Sequence, residues 1–163
     1  ATETINSFEK IYEEKWLNMM CDKLGIFGKD INDQILIMEL LTWMNDNKAD
    51  YTNTFCFLMN EQFSNNEIYN DKNFLIWKEK WKYRLKLNNN SQEKYLRLMH
   101  SVNPLVIPRN HKVEEALKAA NNDDIKPMND LIKILEKPYK AQGEISEYQF
   151  PDKDNKYQTF CGT

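Results

Sequence analysis

Large apolar residues recur at helical spacing along most of this chain, and helix-breaking residues are scarce. Phe8, Tyr12, Trp16 and Met20 follow one another at intervals of four, and Ile11 and Met19 widen the stripe. A stripe of this width packs against other elements, so these residues are expected in a core. Only 4 glycines and 5 prolines occur in 163 residues, which leaves little material for turns. With 41% hydrophobic and 29% charged residues the chain carries enough apolar surface to fold. These features predict an all-α protein: an irregular bundle of about six or seven helices. One domain spans 1–163, helical over roughly 1–141, with an extended tail over 142–163.

The helix boundaries follow from capping chemistry. Gly25 closes the first helix after Leu24. Asp30 caps a second, whose apolar set is Ile31, Ile35, Leu36, Met38, Leu41 and Met44. Asp50 caps a short third helix through Tyr51, Phe55 and Leu58. In "FLIWKEKWKYRLKL", Phe74, Trp77, Trp81 and Leu85 share one face, and Lys78, Lys80, Lys82, Arg84 and Lys86 take the others. Interleaved bases and aromatics can bind single-stranded nucleic acid, but this division favours a core helix with a solvated back. Asn90 and Glu93 have capping-box spacing for a fifth helix from about Ser91 to His100. Asn110 caps a sixth with Val113, Ala116, Leu117 and Ala120 inward. Asp123 or Asp124 starts a seventh, with Pro127 in its first turn and Met128, Leu131, Ile132 and Leu135 packing.

Several function classes recede on bulk properties. A net charge of -3 and a pI near 5.5 give no general attraction to nucleic acid or anionic lipid. The longest apolar run, "ILIMELL", falls well short of the roughly 20 residues of a membrane span. No signal peptide is recognisable at the start, which reads as cut from something longer. Cys21, Cys56 and Cys161 form neither a CxxC pair nor an even disulfide framework, so a reducing cytoplasm is the expected setting. Two histidines and three dispersed cysteines have no metal-ligand spacing. Phosphate-binding glycine loops are absent, and no serine or cysteine is paired by pattern with His100 or His111.

One stretch interrupts the helical pattern. "NPLVIPRNH", Asn103 to His111, sets two prolines, an arginine and a histidine between two helices. The residues before the prolines, Asn103 and Ile107, are driven to extended geometry, so the segment should be a stiff strap. Arg109, Asn110 and His111 at a helix start can hold an anion between backbone N–H groups and a guanidinium. The same three residues, if exposed, can instead make an interdomain contact; the remaining alternative is an elbow, in which Asn110 caps and Arg109 pairs within its own domain.

From Ser101 to Tyr139, "SVNPLVIPRNHKVEEALKAANNDDIKPMNDLIKILEKPY", and again in the final "YQTFCGT", the chain closely resembles the C-terminal end of the selenoprotein O family, the YdiU-type proteins. "WLNMMCDKLG" from Trp16 to Gly25, "DYTNTF" from Asp50 to Phe55, and Trp77, Trp81, Tyr83 and Arg84 carry the same likeness upstream. The resemblance implies a parent protein with a kinase-like fold, a pseudokinase that acts as a protein adenylyltransferase. Such a protein uses ATP with magnesium or manganese to transfer AMP to Ser, Thr or Tyr hydroxyls (AMPylation). It also implies that the ATP-binding residues lie in an N-terminal kinase-like domain outside this chain, so no catalytic residue is expected here. In some family members selenocysteine stands third from the end, where this chain has Cys161, which makes Cys161 a candidate redox thiol. The neighbouring cysteine of some members is replaced by Gln158, so a local redox pair is not available, and an inert exposed thiol stays open.

The expected role is therefore that of an accessory C-terminal helical domain, whose partners are its own kinase-like domain and the parent's protein substrates, with no nucleic acid and no membrane. A protein-interaction module is the alternative.

Overall fold

The computed structural model describes residues 2–60, 67–87, 89–141 and 145–152, with side chains from Ser7 onward. They form eight α-helices: α1 (Thr2–Lys23), α2 (Asp33–Asp46), α3 (Tyr51–Met59), α4 (Lys72–Leu87), α5 (Gln92–Val102), α6 (Asn110–Ala120), α7 (Lys126–Leu135) and α8 (Ser146–Gln149). A single 3-10 turn, Glu67–Asn70, precedes α4. The all-α expectation holds. The chain divides into two compact units, residues 1–103 and 104–163, and the division falls inside the Asn-Pro of the strap. No helix among the described residues is long and apolar enough to cross a membrane.

In unit 1, α2 packs on α4, and α1 packs on α2 and α5. The expected aromatic face of α4 is realised: Phe74, Trp77, Trp81 and Leu85 are all buried. Phe74 meets Trp43 of α2, Phe57 of α3 and Tyr69 of the 3-10 turn, at ring-centroid distances of 4.5, 5.9 and 5.3 Å. Buried indoles need partners for their N–H groups. Trp77 Nε1 donates to the Leu36 carbonyl and Trp81 Nε1 to the Leu24 carbonyl, each at 2.8 Å. The basic residues of α4 are not all solvated as expected. Lys78 is buried, its ammonium 5.3 Å from the centre of the Phe57 ring. Arg84 is buried too, with Nε 2.6 Å from Asp33 Oδ1 and Nη2 3.0 Å from Asp33 Oδ2. This two-point pairing offsets the desolvation of both charges.

The end of α1 is closed as its Leu-Gly terminus predicts. Gly25 lies at φ +69, Ile26 N–H donates to the Cys21 carbonyl and Gly25 N–H to the Asp22 carbonyl, a Schellman motif. A Cβ on Gly25 would stand 3.1 Å from Met99 and Tyr95, so glycine is also needed for the close approach of α5.

Two expected stripes are corrected. On α1, burial begins at Met20, whereas Phe8, Ile11, Tyr12 and Met19 are exposed. The contacts that bury this helix gather at its C-terminal end, around Lys23, Leu24 and Gly25. On α2 the buried set is Leu36, Ile37, Leu40, Trp43 and Met44, and Ile31, Ile35 and Met38 face outward. This helix is apolar on more than one side, and α4 covers only one of them. In unit 2, α6 packs on α7. Ala116 and Leu131 are buried, but Leu117 and Ile132, expected inside, are about half exposed. The tail is not wholly extended, because Ser146–Gln149 form one helical turn.

Caps follow the expected chemistry at α3, where Asp50 accepts from Asn53 N–H, and shift by one or more residues elsewhere. Ser91, rather than Asn90, caps α5 by accepting from Lys94 N–H; Asn90 Oδ1 accepts instead from Lys94 Nζ. At α2 the side chains of Asp30 and Asp33 stabilise the preceding turn, and Asp30 does not cap. Asp71 is the cap of α4, accepting from Asn73 and Phe74 N–H and from Trp43 Nε1.

Arg84→Met leaves the Asp33 carboxylate buried without its cation, and should destabilise the protein by about 3–5 kcal/mol in chemical denaturation. Joint replacement with Asp33→Leu should recover much of that loss; no recovery would show that the pair does not act as a unit. Hydrogen bonds, first from Phe74 N–H and then from Trp43, hold the Asp71 carboxyl below its usual pKa. Its contribution is therefore complete above the ordinary aspartate value of about 3.9 and is lost as pH falls through the depressed folded value. Melting curves of wild type and Asp71→Asn should converge on acidification, and a gap independent of pH would contradict this.

Candidate functional site

The strap that the sequence singles out is built in two parts. Asn103 ends unit 1. Its backbone N–H donates to the Met99 carbonyl, closing α5, and its Nδ2 donates to the Lys23 carbonyl at 2.9 Å. The side chain thus satisfies one of the open carbonyls at the end of α1. Beyond Pro104, Leu105 N–H donates to the Pro138 carbonyl at 2.7 Å, and Val106 is 1% exposed. Arg109 has extended backbone and is buried; its Nη2 donates to the Gln149 carbonyl at 2.7 Å. Gln149 returns the bond, its Nε2 donating to the Leu105 carbonyl at 3.2 Å. Strap and α8 are therefore tied twice. Asn110 is the exposed first residue of α6 instead of its cap, and His111 is half-buried. The guanidinium points into unit 2, the arrangement of an elbow.

The other reactive groups have equally defined surroundings. Cys21 and Cys56 are buried thiols outside any disulfide. Burial, reinforced by the nearby Asp33 carboxylate, pushes Cys21 up to about 11, so it is a neutral thiol near pH 7 and a poor nucleophile. Cys161 lies outside the described residues. Lys23 is buried with its ammonium 4.7 Å from the centre of the Phe55 ring and 5.4 Å from that of Tyr51; burial lowers its pKa. In unit 2, Lys112 reaches Glu115 at 2.9 Å and Glu147 at 3.5 Å, and its hydrogen bond to Glu115 raises its pKa. Among the described residues, no group of three or more His, Cys, Asp or Glu is arranged to hold a metal ion.

An open groove of about 920 Å³ lies between α2 and α4. Ile31, Ile35 and Met38 line one wall, Asn73 and Ile76 the other, and buried Trp43 and Trp77 reach its lining. Lys80 of α4 pairs across it with Glu39 of α2 at 2.7 Å. Past that pair a second depression continues between Ile35, Tyr83 and Leu87.

Comparison with known families matches residues 1–136 to the family described as "Protein adenylyltransferase SelO". The whole chain is also similar to proteins named "Protein nucleotidyltransferase YdiU". It is 55% identical to that of Pelagibacter ubique, 43% to that of Nitrosococcus oceani and 42% to that of Clostridium perfringens strain SM101. In each case all of this chain is covered, but only 34% of the relative. The chain therefore belongs to the SelO family, and it spans about a third of the length of the curated relatives it matches.

Sequence reasoning missed three residues that matter here. Asp33 has no local signal, since its partner is 51 positions away. Asp71 was detectable, because an aspartate three residues before the apolar Phe74 is an N-cap pattern. Gln149 lay in a segment without periodicity. Losing the charged hydrogen bond in Arg109→Met should cost about 1.5–3 kcal/mol. It should also speed exchange of the Tyr148 amide, which closes α8 on the Ile145 carbonyl. An unchanged Tyr148 exchange rate would show that Arg109 does not hold α8.

Proposed function

We propose that this chain is the carboxyl-terminal, accessory helical third of a cytoplasmic protein adenylyltransferase. In this reading the parent's kinase-like domain holds ATP with magnesium or manganese and directs a protein Ser, Thr or Tyr hydroxyl onto the α-phosphorus, releasing pyrophosphate. The third described here stabilises that domain and has no ATP site of its own. The observation that supports the reading is the use to which the family-like residues are put. Trp77, Trp81, Arg84, Asn103 and Arg109 are buried, and each donates at least one hydrogen bond to a carbonyl or carboxylate of its own unit. Buried donors of this kind fix the register of helices. Cys161 is the redox element of the proposal, reaching a thiol of the parent or of another chain, since Cys21 and Cys56 are sealed in the core of unit 1.

A second reading, a module that docks other proteins, draws on the exposed apolar wall of α2. The two separate in an assay with ATP labelled on its α-phosphate. The full-length parent with magnesium or manganese should label itself or a protein target, and the 163-residue chain should not. Labelling by the 163-residue chain alone would overturn the accessory reading.

A further inference from the structure

We infer that α8 is an electrostatic latch, held closed on the start of α6 by Arg109 and Lys112 and able to open while α6 and α7 stay packed. Lys112 occupies the first turn of α6, where a cation opposes the helix dipole. Two carboxylates offset that cost: its ammonium lies 2.9 Å from Glu115 of α6 and 3.5 Å from Glu147 of α8. It also stands 5.7 Å from the centre of the Tyr148 ring of α8. Lys112 thus bridges a carboxylate of α6 to one of α8. Without its charge, Glu115 and Glu147 are left as near neighbours of like sign, which repel.

Apolar packing contributes little to the closed state. Of Ile145 and the four residues of α8, only Ile145 and Gln149 are buried, and Gln149 is engaged in the reciprocal bonds with Arg109 and Leu105. Between α8 and the α6–α7 pair lies a crevice of about 340 Å³, lined chiefly by charged side chains, among them Glu115, Lys126, Asp130 and Glu147. By contrast, α6 and α7 pack directly on each other. A single turn secured by charge over a polar crevice opens more readily than the helices it rests on.

Opening moves the anchor of the chain that follows. With α8 latched, Cys161 lies within about 40 Å of Gln149, the most that the intervening chain can span. With α8 open, the bound from Pro138, still bonded to Leu105, is about 80 Å. In the redox reading of Cys161 given above, on which this consequence rests, the latch sets which thiols that residue can reach.

Hydrogen exchange of the intact parent, read by mass spectrometry, tests the latch without reference to Cys161. The α8 amides, with Tyr148 bonded to Ile145 as reporter, should exchange roughly tenfold or more faster than those of α6 and α7, yet slower than in an unfolded peptide. Lys112→Met should quicken α8 exchange about five- to tenfold and leave α7 unchanged, whereas Lys112→Arg, which keeps the charge, should match wild type. Raising salt to about 1 M, which screens the pair, should quicken α8 in wild type but not in Lys112→Met. One common rate for α6, α7 and α8 would overturn the inference, because α8 then opens only with the whole unit. So would α8 exchange at the unfolded-peptide rate in wild type, which leaves no closed state, or an unchanged α8 rate in Lys112→Met. None of these outcomes depends on AMP transfer or on the redox role of Cys161.

Discussion

One line of side chains down α4 joins nearly every part of unit 1. Phe74 fills the space between α2, α3 and the 3-10 turn, Trp77 bonds a carbonyl of α2, and Trp81 bonds the carbonyl of Leu24 beyond the end of α1. Arg84 completes the line at Asp33, and its Nη2 also meets the Phe27 carbonyl at 3.3 Å. Apolar burial supplies most of the driving force. The indole and guanidinium donors determine how far each helix slides along its neighbour, because a slip of one turn would strand buried polar groups.

The same logic organises the strap. Asn103 and Arg109 stand six positions apart and do equivalent work in separate units: each reaches a carbonyl at a helix terminus, Asn103 that of Lys23 and Arg109 that of Gln149. Two prolines between them remove donors and limit the backbone, so the side chains arrive with little conformational freedom left to lose. Through these bonds the strap ties helix ends within each unit. Unit 1 leaves Ile31, Ile35, Met38 and Ile76 exposed along a groove that Glu39 and Lys80 also line.

Much of the helical layout was legible in advance because helix formation is local. The spacing of Phe74, Trp77, Trp81 and Leu85 identified α4 and its buried face, Leu24-Gly25 marked the end of α1, and Asp50 marked the start of α3. Caps were less legible where candidates adjoin. In "NNNS" and "PRNH" neighbouring polar residues compete, and packing sets which one ends the turn, giving Ser91 and Arg109 at the N-cap positions instead of Asn90 and Asn110. The candidate site was least legible. Arg109 was visible as a residue, but its partner Gln149 is 40 positions away in a segment with no pattern.

Sequence alone determined that the chain is helical, where most helices lie, and that it resembles the selenoprotein O family, since periodicity, breakers and motif residues are properties of short stretches. Tertiary structure decided which side of each helix is inside. Ile31, Ile35 and Met38 are as apolar as Leu36, Ile37 and Leu40, and no local rule separates them. α4 and α1 pack against α2 and bury Leu36, Ile37 and Leu40, and the side that carries Ile31, Ile35 and Met38 meets neither, because which side of a broadly apolar helix is covered depends on where its neighbours lie.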